Sequence, residues 1–237
     1  GDAGSAVLML FVTIVAGAVL GLVSGGIYVL LRIPPIITSL GVTLIYEGIM
    51  YTITNGKYVM AEVQNPSMSG FVGTWIYAAA IIVVVLILSI VIFDYTRFGY
   101  DYKALKDGQK VAVNTGIREI PNTLICYTIC GALMGTVGFL NAARNTTING
   151  GQLNFSSIAI MFTAFLPMFI GSYISRYSNE KVGFLLAAVC MSLLNSTFAV
   201  LSNVVTASMQ SIINAVLLVV FLIYLNNEKL LVKIFFG

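Results

Sequence analysis

Few residues of this 237-residue chain are suited to catalysis. Histidine, the commonest general base and a common metal ligand, is absent. Cys126 and Cys130 lie four apart in an apolar run and are interpreted as small buried thiols, not a disulfide or metal site. The sequence contains no G-x-x-x-x-G-K-[ST] phosphate loop, so we do not expect this chain to hydrolyse nucleotides. These absences predict a protein that is not an enzyme and has no cofactor and no metal.

Polar residues inside apolar stretches are the remaining candidates for chemistry. Glu47 is the only acidic residue well inside such a stretch. If the stretch spans a membrane, an ion-coupled carrier would need ionisable groups near the middle of the bilayer, as Glu47 would be. A carboxylate there has three alternatives: it lines a path, it reaches the bilayer surface, or it pairs with Arg144. Asn141 and Asn195 are further path candidates, because a polar group in a span usually faces the bundle interior. Pro167 is included because it removes a helical donor and is expected to kink its helix.

The elements that carry these residues are predicted to cross a membrane. The chain is 59% hydrophobic and 9% charged, against roughly 25% charged in soluble domains. A spanning helix needs about 20 mostly apolar residues. Seven stretches qualify: Ser5–Leu31, Ile36–Thr54, Trp75–Phe93, Ile120–Ala143, Ile158–Ser175, Val182–Leu201 and Ala207–Leu225. We therefore predict an all-α polytopic bundle of about seven membrane segments, one transmembrane domain over residues 1–237.

The basic residues orient this bundle. If the 94–119 loop is cytoplasmic, ten of the 12 Lys and Arg residues lie inside and only Lys57 and Arg144 lie outside, as membrane proteins prefer. The net charge of +3 is too small to indicate a nucleic-acid partner. This topology places Gly1 outside, and a further upstream span would explain that position. We therefore expect the chain to be truncated at its N-terminus.

Two predicted helices share a glycine pattern. Gly17, Gly21 and Gly25 lie in the first, and Gly131 and Gly135 lie in the fourth. Glycines four apart make a flat face on which another helix backbone can pack closely. Tight packing explains each motif alone. Because the predicted topology runs the two helices in opposite directions, an inverted repeat is a second hypothesis.

The 94–119 loop holds nine of the 21 charged residues and connects two apolar stretches. Polar connections of this length are uncommon and are usually functional or disordered. Since the chain itself has no site for nucleotide hydrolysis, it either conducts passively or takes energy from another subunit. A long basic loop favours the second possibility, because a partner outside the bilayer needs a segment to bind.

Three stretches of the chain resemble permease subunits of ATP-binding cassette importers of the ribose, galactose and xylose type. Thr96–Gly99, with Ala104, Ala112 and Thr115–Ile117, is similar to that family's cytoplasmic coupling loop. Leu31–Gly41 looks like its R-[IV]-P-P helix entry, and Cys130–Gly135 looks like its C-G-A-L-A-G segment. The three stretches occur in the order found in the family.

The resemblance implies a coupling helix around residues 109–115 that docks in a cytosolic ATPase subunit. Its coupling residues here would be Lys106, Gly108, Gln109, Lys110, Ala112, Asn114, Gly116 and Ile117. Glycines on both sides of the helix would permit turns. The implied partners are the ATPases, a second permease subunit that is identical or different, an extracytoplasmic substrate-binding protein and membrane lipid. The implied location is the bacterial inner membrane.

Several departures leave the transported solute open. The family's upstream helices have no counterpart, and the stretch at residues 159–167 replaces a Gly-rich segment. A monosaccharide is the first expectation, because few charges in the spans suit a neutral polyol. Nucleosides, autoinducer-like furanoses and amino-acid-like solutes remain alternatives within the family. An ion-coupled carrier, a passive channel and a structural membrane anchor remain alternatives outside it.

Overall fold

A computed structural model of the chain describes residues 3–57, 59–60, 75–144, 147–148, 156–174, 179–201 and 206–226. This part of the chain contains eight helices and one short antiparallel strand pair. The helices are α1 Ala3–Leu31, α2 Pro35–Thr54, α3 Trp75–Tyr95, α4 Arg97–Asn114, α5 Glu119–Arg144, α6 Ser156–Ile174, α7 Glu180–Val200 and α8 Ala207–Asn226. The strands are β1 Val59–Met60 and β2 Thr147–Ile148. The predicted polytopic helical bundle is confirmed.

Each of the seven predicted spans is a helix in the structure. Five of them, α1, α2, α3, α5 and α7, are long and apolar enough to cross a membrane. In α6 and α8 the described apolar stretches are the shorter Ala164–Ile174 and Met209–Ile223. The eighth helix, α4, occupies most of the predicted cytoplasmic loop.

Helices α1 and α5 pack backbone to backbone through the predicted glycines. A methyl group added at Gly17 would overlap the carbonyl oxygen of Gly131, and one added at Gly21 would lie 2.9 Å from the Gly131 Cα. Gly25 faces the ring of Tyr127, whose Cβ would be 2.8 Å from an added methyl. Glycines nearer the C-terminus of α1 contact residues nearer the N-terminus of α5, so the two helices are antiparallel.

The contacts between α1 and α5 are reciprocal, so that each contact made by a glycine of α1 has a counterpart made by a glycine of α5. An added methyl at Gly17 meets the carbonyl of Gly131, and one at Gly131 meets the carbonyl of Gly17. Likewise Gly21 faces the Tyr127 carbonyl and Gly135 faces the Thr13 carbonyl. The equivalent positions, Gly17 and Gly131, Gly21 and Gly135, and Thr13 and Tyr127, are all separated by the same number of residues. The α1–α5 contact therefore has a local two-fold relation, the relation that the inverted-repeat hypothesis requires of this pair.

The turn between α1 and α2 follows from its sequence. Arg32 adopts the left-handed conformation, with φ of 52°, directly after α1 ends. Pro35 opens α2, at the helical position where the missing N–H of proline costs no hydrogen bond.

A hydrogen bond also connects α2 to α1 beyond the turn. The Tyr46 hydroxyl donates to the Leu20 carbonyl over 2.8 Å.

The strand pair joins two connections that the predicted topology places on the outer side. Val59 pairs with Ile148, and Met60 pairs with Thr147. β1 lies in the connection after α2, and β2 lies in the connection after α5. Their pairing requires the two connections to be on the same side, as predicted.

The chain divides into two compact units, Gly1–Ser156 and Ser157–Gly237. The first unit is organised around the α1–α5 contact. In the second, a methyl added at Gly171 of α6 would lie 2.8 Å from the Phe184 Cα of α7. The rings of Tyr173 in α6 and Phe221 in α8 meet edge to face at 6.1 Å. The single-domain organisation stays a prediction.

Candidate functional site

The predicted coupling loop is mostly helical, because its sequence stabilises a helix start. The hydroxyl of Thr96 accepts a hydrogen bond from the Gly99 N–H over 3.2 Å, which caps α4. Lys103 forms a 2.7 Å ion pair with Asp94 across the junction of α3 and α4. The helix that we predicted around residues 109–115 is therefore the last part of an 18-residue helix.

Of the two loop glycines predicted to permit turns, one has the conformation that favours glycine. Gly116, between α4 and α5, has φ of 94°, which side-chain-bearing residues rarely adopt. Gly108 breaks the helical backbone inside α4, with φ of −170° and ψ of 85°. This is an extended conformation that other residues also adopt. The turn after α4 therefore depends on glycine in a way that the break within α4 does not.

The end of α4 carries exposed apolar side chains. Val111 is 69% exposed and Val113 is 42% exposed, whereas Ala112 between them is 4% exposed. Lys106, Gln109, Lys110, Asn114 and Gly116 are exposed, and Gly108 and Ile117 are half-buried. Exposed valines on a polar segment form a surface suited to a protein partner. Ala112, a predicted coupling residue, instead packs within the chain.

A side-chain hydrogen bond joins α4 to the start of α5. The Gln109 amide donates to the Glu119 carboxylate over 2.6 Å. The backbone N–H of Ile117 donates to the Ala112 carbonyl over 3.2 Å and closes the turn between the helices. Because α5 packs against α1, this junction connects the predicted coupling residues to the glycine contact.

The second unit contains a cleft of about 890 Å³ between α6, α7 and α8. Two predicted path residues, Pro167 and Asn195, line it. Helix α6 continues through Pro167 to Ile174. The polar lining residues are Ser192, Asn195, Ser196, Gln210, Ser211 and Asn214. No charged side chain lines the cleft within the described residues, so its polar groups are amides and hydroxyls.

Two amide side chains of the cleft were missed by the sequence analysis. Gln210 and Asn214 lie one helical turn apart in α8 and both face the cleft. The signal was available, since two amides four apart in an apolar segment face the same side. The side-chain carbonyl oxygen of Asn214 is buried and has no hydrogen-bond partner in the described part of the chain. A buried acceptor without a partner is costly, which points to a solute or water in the cleft.

The cleft lies in the outer half of the predicted span. With the topology indicated by the basic residues, Gln210 is near the outer end of α8, and Phe221 is near its inner end. At the inner end, Tyr173 contacts Phe221, and Gly171 contacts Phe184. In the predicted topology the polar lining therefore lies toward the outer side and the close packing toward the inner side.

The other predicted path residues lie in the first unit. Glu47 is 6% exposed, and neither of its carboxylate oxygens has a hydrogen-bond partner among the described residues. It is therefore buried rather than extended to the bilayer surface. The side chain of Arg144, its suggested partner, lies outside the described residues. Asn141 is exposed on α5. The described residues contain no cluster of three or more His, Cys, Asp or Glu suited to a metal.

Comparison with known proteins identifies relatives over most of the chain. A family profile described as branched-chain amino acid transport system / permease component matches residues 3–223. The autoinducer 2 import system permease protein of Photorhabdus luminescens is 25% identical over 198 residues, which are 80% of this chain and 57% of that protein. The galactose/methyl galactoside import permease protein of Salmonella typhimurium is 27% identical over 146 residues, 58% of this chain and 44% of that protein. No solved structure matches.

The chain spans about half the length of the curated relatives it matches. These matches confirm the resemblance to importer permeases. Import-system relatives and several helices long enough to cross a bilayer indicate a multi-pass inner-membrane protein. Because the profile covers nearly all of the sequence, the chain belongs to the branched-chain amino acid transport system / permease component family.

Proposed function

We propose that the chain is a transmembrane subunit of an ATP-binding cassette importer and forms the path of a small neutral solute. The carrying observation is the cleft between α6, α7 and α8. Its volume of about 890 Å³ falls in the range of small-molecule sites, roughly 300–1,000 Å³. Its amides and hydroxyls both donate and accept hydrogen bonds, which suits a solute rich in hydroxyl groups.

A monosaccharide is the solute class that we infer. Two relatives are named as importers of galactose or methyl galactoside and of autoinducer 2. The cleft has no charged lining residue in its described part, which disfavours an ion or a zwitterionic amino acid. An ion-coupled carrier would also need its ionisable group at the path. Glu47, the candidate for that role, lies in the other unit and is not among the cleft residues.

Energy for transport comes from a separate ATPase subunit under this proposal. The exposed valines Val111 and Val113 provide the apolar centre of the docking surface, and Lys110 provides charge at its edge. Docking at the end of α4 would reach α5 through the Gln109–Glu119 hydrogen bond. A second permease subunit and a substrate-binding protein complete the proposed importer.

Co-purification tests the ATPase partner. We would express the tagged full-length protein in its native host and identify ATPase subunits that remain bound in mild detergent. Val111→Glu should abolish co-purification, because it places a charge in the centre of the apolar surface. Ile53→Glu is the matched control, because Ile53 is 73% exposed but lies near the C-terminal end of α2, which the predicted topology places on the other side of the membrane from α4. An ATPase that binds Val111→Glu as well as wild type would contradict the proposed docking surface.

Uptake of radiolabelled monosaccharides tests the cleft. Asn195→Ala should lower uptake without changing the amount of protein in the membrane or of bound ATPase. Thr197→Val is the control on the same helix, because the Thr197 hydroxyl donates to the Leu193 carbonyl over 2.8 Å and does not line the cleft. Equal uptake by the two variants would refute the cleft as the solute path.

A further inference from the structure

A second cavity lies against one face of α4, here called its inner face, which includes the predicted coupling residues Lys106 and Gln109. It is an open cavity of about 440 Å³ between α4 and the adjacent ends of α1, α2 and α5. Tyr102, Lys106 and Gln109 line it from α4, at the three- and four-residue spacings of one helix face. In the predicted topology these helix ends face the cytoplasm.

Asn122 of α5 is the most unusual residue of this cavity. Its side chain is 7% exposed, and neither atom of its amide has a hydrogen-bond partner within the described ranges. Leaving a buried amide unsatisfied costs about 1–3 kcal/mol per group. The amide lines the cavity and can both donate and accept there. A polar group bound in the cavity would therefore satisfy Asn122.

The other lining groups indicate the chemistry of that occupant. Tyr28 and Tyr127 stack with ring centroids 5.5 Å apart and form one apolar wall. Lys106 and Glu119 bring one positive and one negative charge. Opposite charges favour neither an anion nor a cation. Tyrosines, an amide and two side chains of opposite charge together suit a neutral molecule with several hydroxyl groups and an apolar ring face.

We propose that this cavity is a second binding site, for a neutral polyhydroxylated molecule of the monosaccharide class on the cytoplasmic side. The choice of ligand rests on the proposed function, but the site itself rests on Asn122 and the cavity. A ligand that bridges Asn122 and the inner face of α4 holds α4 against α5. The fraction of α4 held against α5 therefore rises with the cytoplasmic solute concentration, and α4 is the helix proposed to bind the ATPase.

Protection of a cysteine in the cavity tests this proposal. Thr123 lines the cavity and is half-buried, so Thr123→Cys introduces a reporter there. The three native cysteines are replaced by alanine in this full-length protein. The rate of modification by a water-soluble methanethiosulfonate is measured with D-galactose, with D-ribose and with inorganic phosphate. We expect modification without additive, slower modification with one of the sugars and no effect of phosphate.

Substitution of Asn122 then localises the protection. Asn122→Leu keeps the side-chain size, removes the amide and should raise the sugar concentration for half-protection by roughly tenfold. Asn195→Ala, in the other cleft, should leave that concentration unchanged. Elution of each variant as a single species by size exclusion shows that the fold is retained.

Four results would overturn the proposal. They are a reporter that never reacts, no protection by either sugar, protection by phosphate instead, and protection that Asn122→Leu leaves intact. Failure of the proposed function is distinguishable, because it appears as no bound ATPase and no effect of Asn195→Ala on uptake. Protection of the cavity by sugar can persist in that case.

Discussion

Substitution of Gly131 by alanine tests the α1–α5 contact with a control on the same helix. The added methyl of Gly131→Ala would lie 2.7 Å from the Gly21 Cα, whereas one at Gly138 meets nothing within 4 Å. Carbon atoms prefer a separation of about 3.5–4.0 Å, so the helices must move apart by roughly 1 Å. The obstructing atoms, the Gly17 carbonyl oxygen and the Gly21 Cα, both belong to the backbone, so no rotamer change can relieve the overlap.

The size of the effect follows from comparing the two alanine variants. Both gain the same helix propensity, about 0.5–1 kcal/mol relative to glycine. Overpacking costs about 1–3 kcal/mol, so Gly131→Ala should be less stable than Gly138→Ala by that amount. For a protein of this size each kcal/mol corresponds to roughly 2–4 °C in melting temperature. Gly138→Ala should itself be slightly more stable than wild type.

The assay is the temperature at which half of the detergent-solubilised protein is lost from its size-exclusion peak. Gly17→Ala and Gly131→Ala press on the same contact, so the double variant should cost less than the sum of the single changes. Equal melting temperatures for Gly131→Ala and Gly138→Ala would refute the backbone-to-backbone packing derived from the structure.

Three further predictions concern the coupling junction and the cleft. Gly116→Ala should reduce transport and destabilise the protein by about 1–3 kcal/mol, because φ of 94° strains alanine, whereas Gly108→Ala, at φ of −170°, should cost less in the same melting assay. Gln109→Ala removes the 2.6 Å hydrogen bond to Glu119, so solute-stimulated ATP hydrolysis should fall while ATPase co-purification persists; loss of both would refute a coupling role distinct from docking. Asn214→Leu removes a buried acceptor that has no partner in the described residues, so melting temperature should rise, by an amount corresponding to about 1–3 kcal/mol, while sugar uptake falls; unchanged uptake would contradict its place in the path.

The spans were predictable because hydrophobic length alone determines them. All seven predicted segments are helices, with ends within a few residues of those observed. The glycine face was visible for a similar reason, since Gly17 and Gly21 repeat at the helical period and so mark one face of α1. Which helix packs on that face was suggested only by the matching pattern in α5.

The extent of α4 was not predictable from charge content. A polar segment with three glycines was expected to be mainly loop, yet the Thr96 cap and the Lys103–Asp94 ion pair support an 18-residue helix. The spacing of Gln210 and Asn214 marks one face of α8, but it does not say what that face packs against. Gln210 and Asn214 in α8 become a site because Asn195 of α7 faces the same cleft.

The cavity beside Asn122 could not be read from the sequence. Asn122 is an ordinary polar residue in the first turn of α5, where exposure to water is usual. Its burial results from α4 folding back over the ends of α1 and α5, with Tyr102 and Gln109 on the covering face. That arrangement depends on tertiary contacts between segments far apart in the chain.

The closest contact between α1 and α5 lies near the middle of α5, so a tilt of α5 about this contact would move its two ends in opposite directions. Helix α5 has 26 residues and is about 39 Å long. A tilt of about 10° around the glycine crossing displaces each of its ends by roughly 3 Å, in opposite directions. The inner end begins at Glu119, bonded to α4, and the outer end is followed by β2, paired with β1. If a partner displaces α4, we expect α5 to tilt about the glycine contact and its β2 end to move the opposite way, because backbone packs on backbone there and no side chain has to change its rotamer.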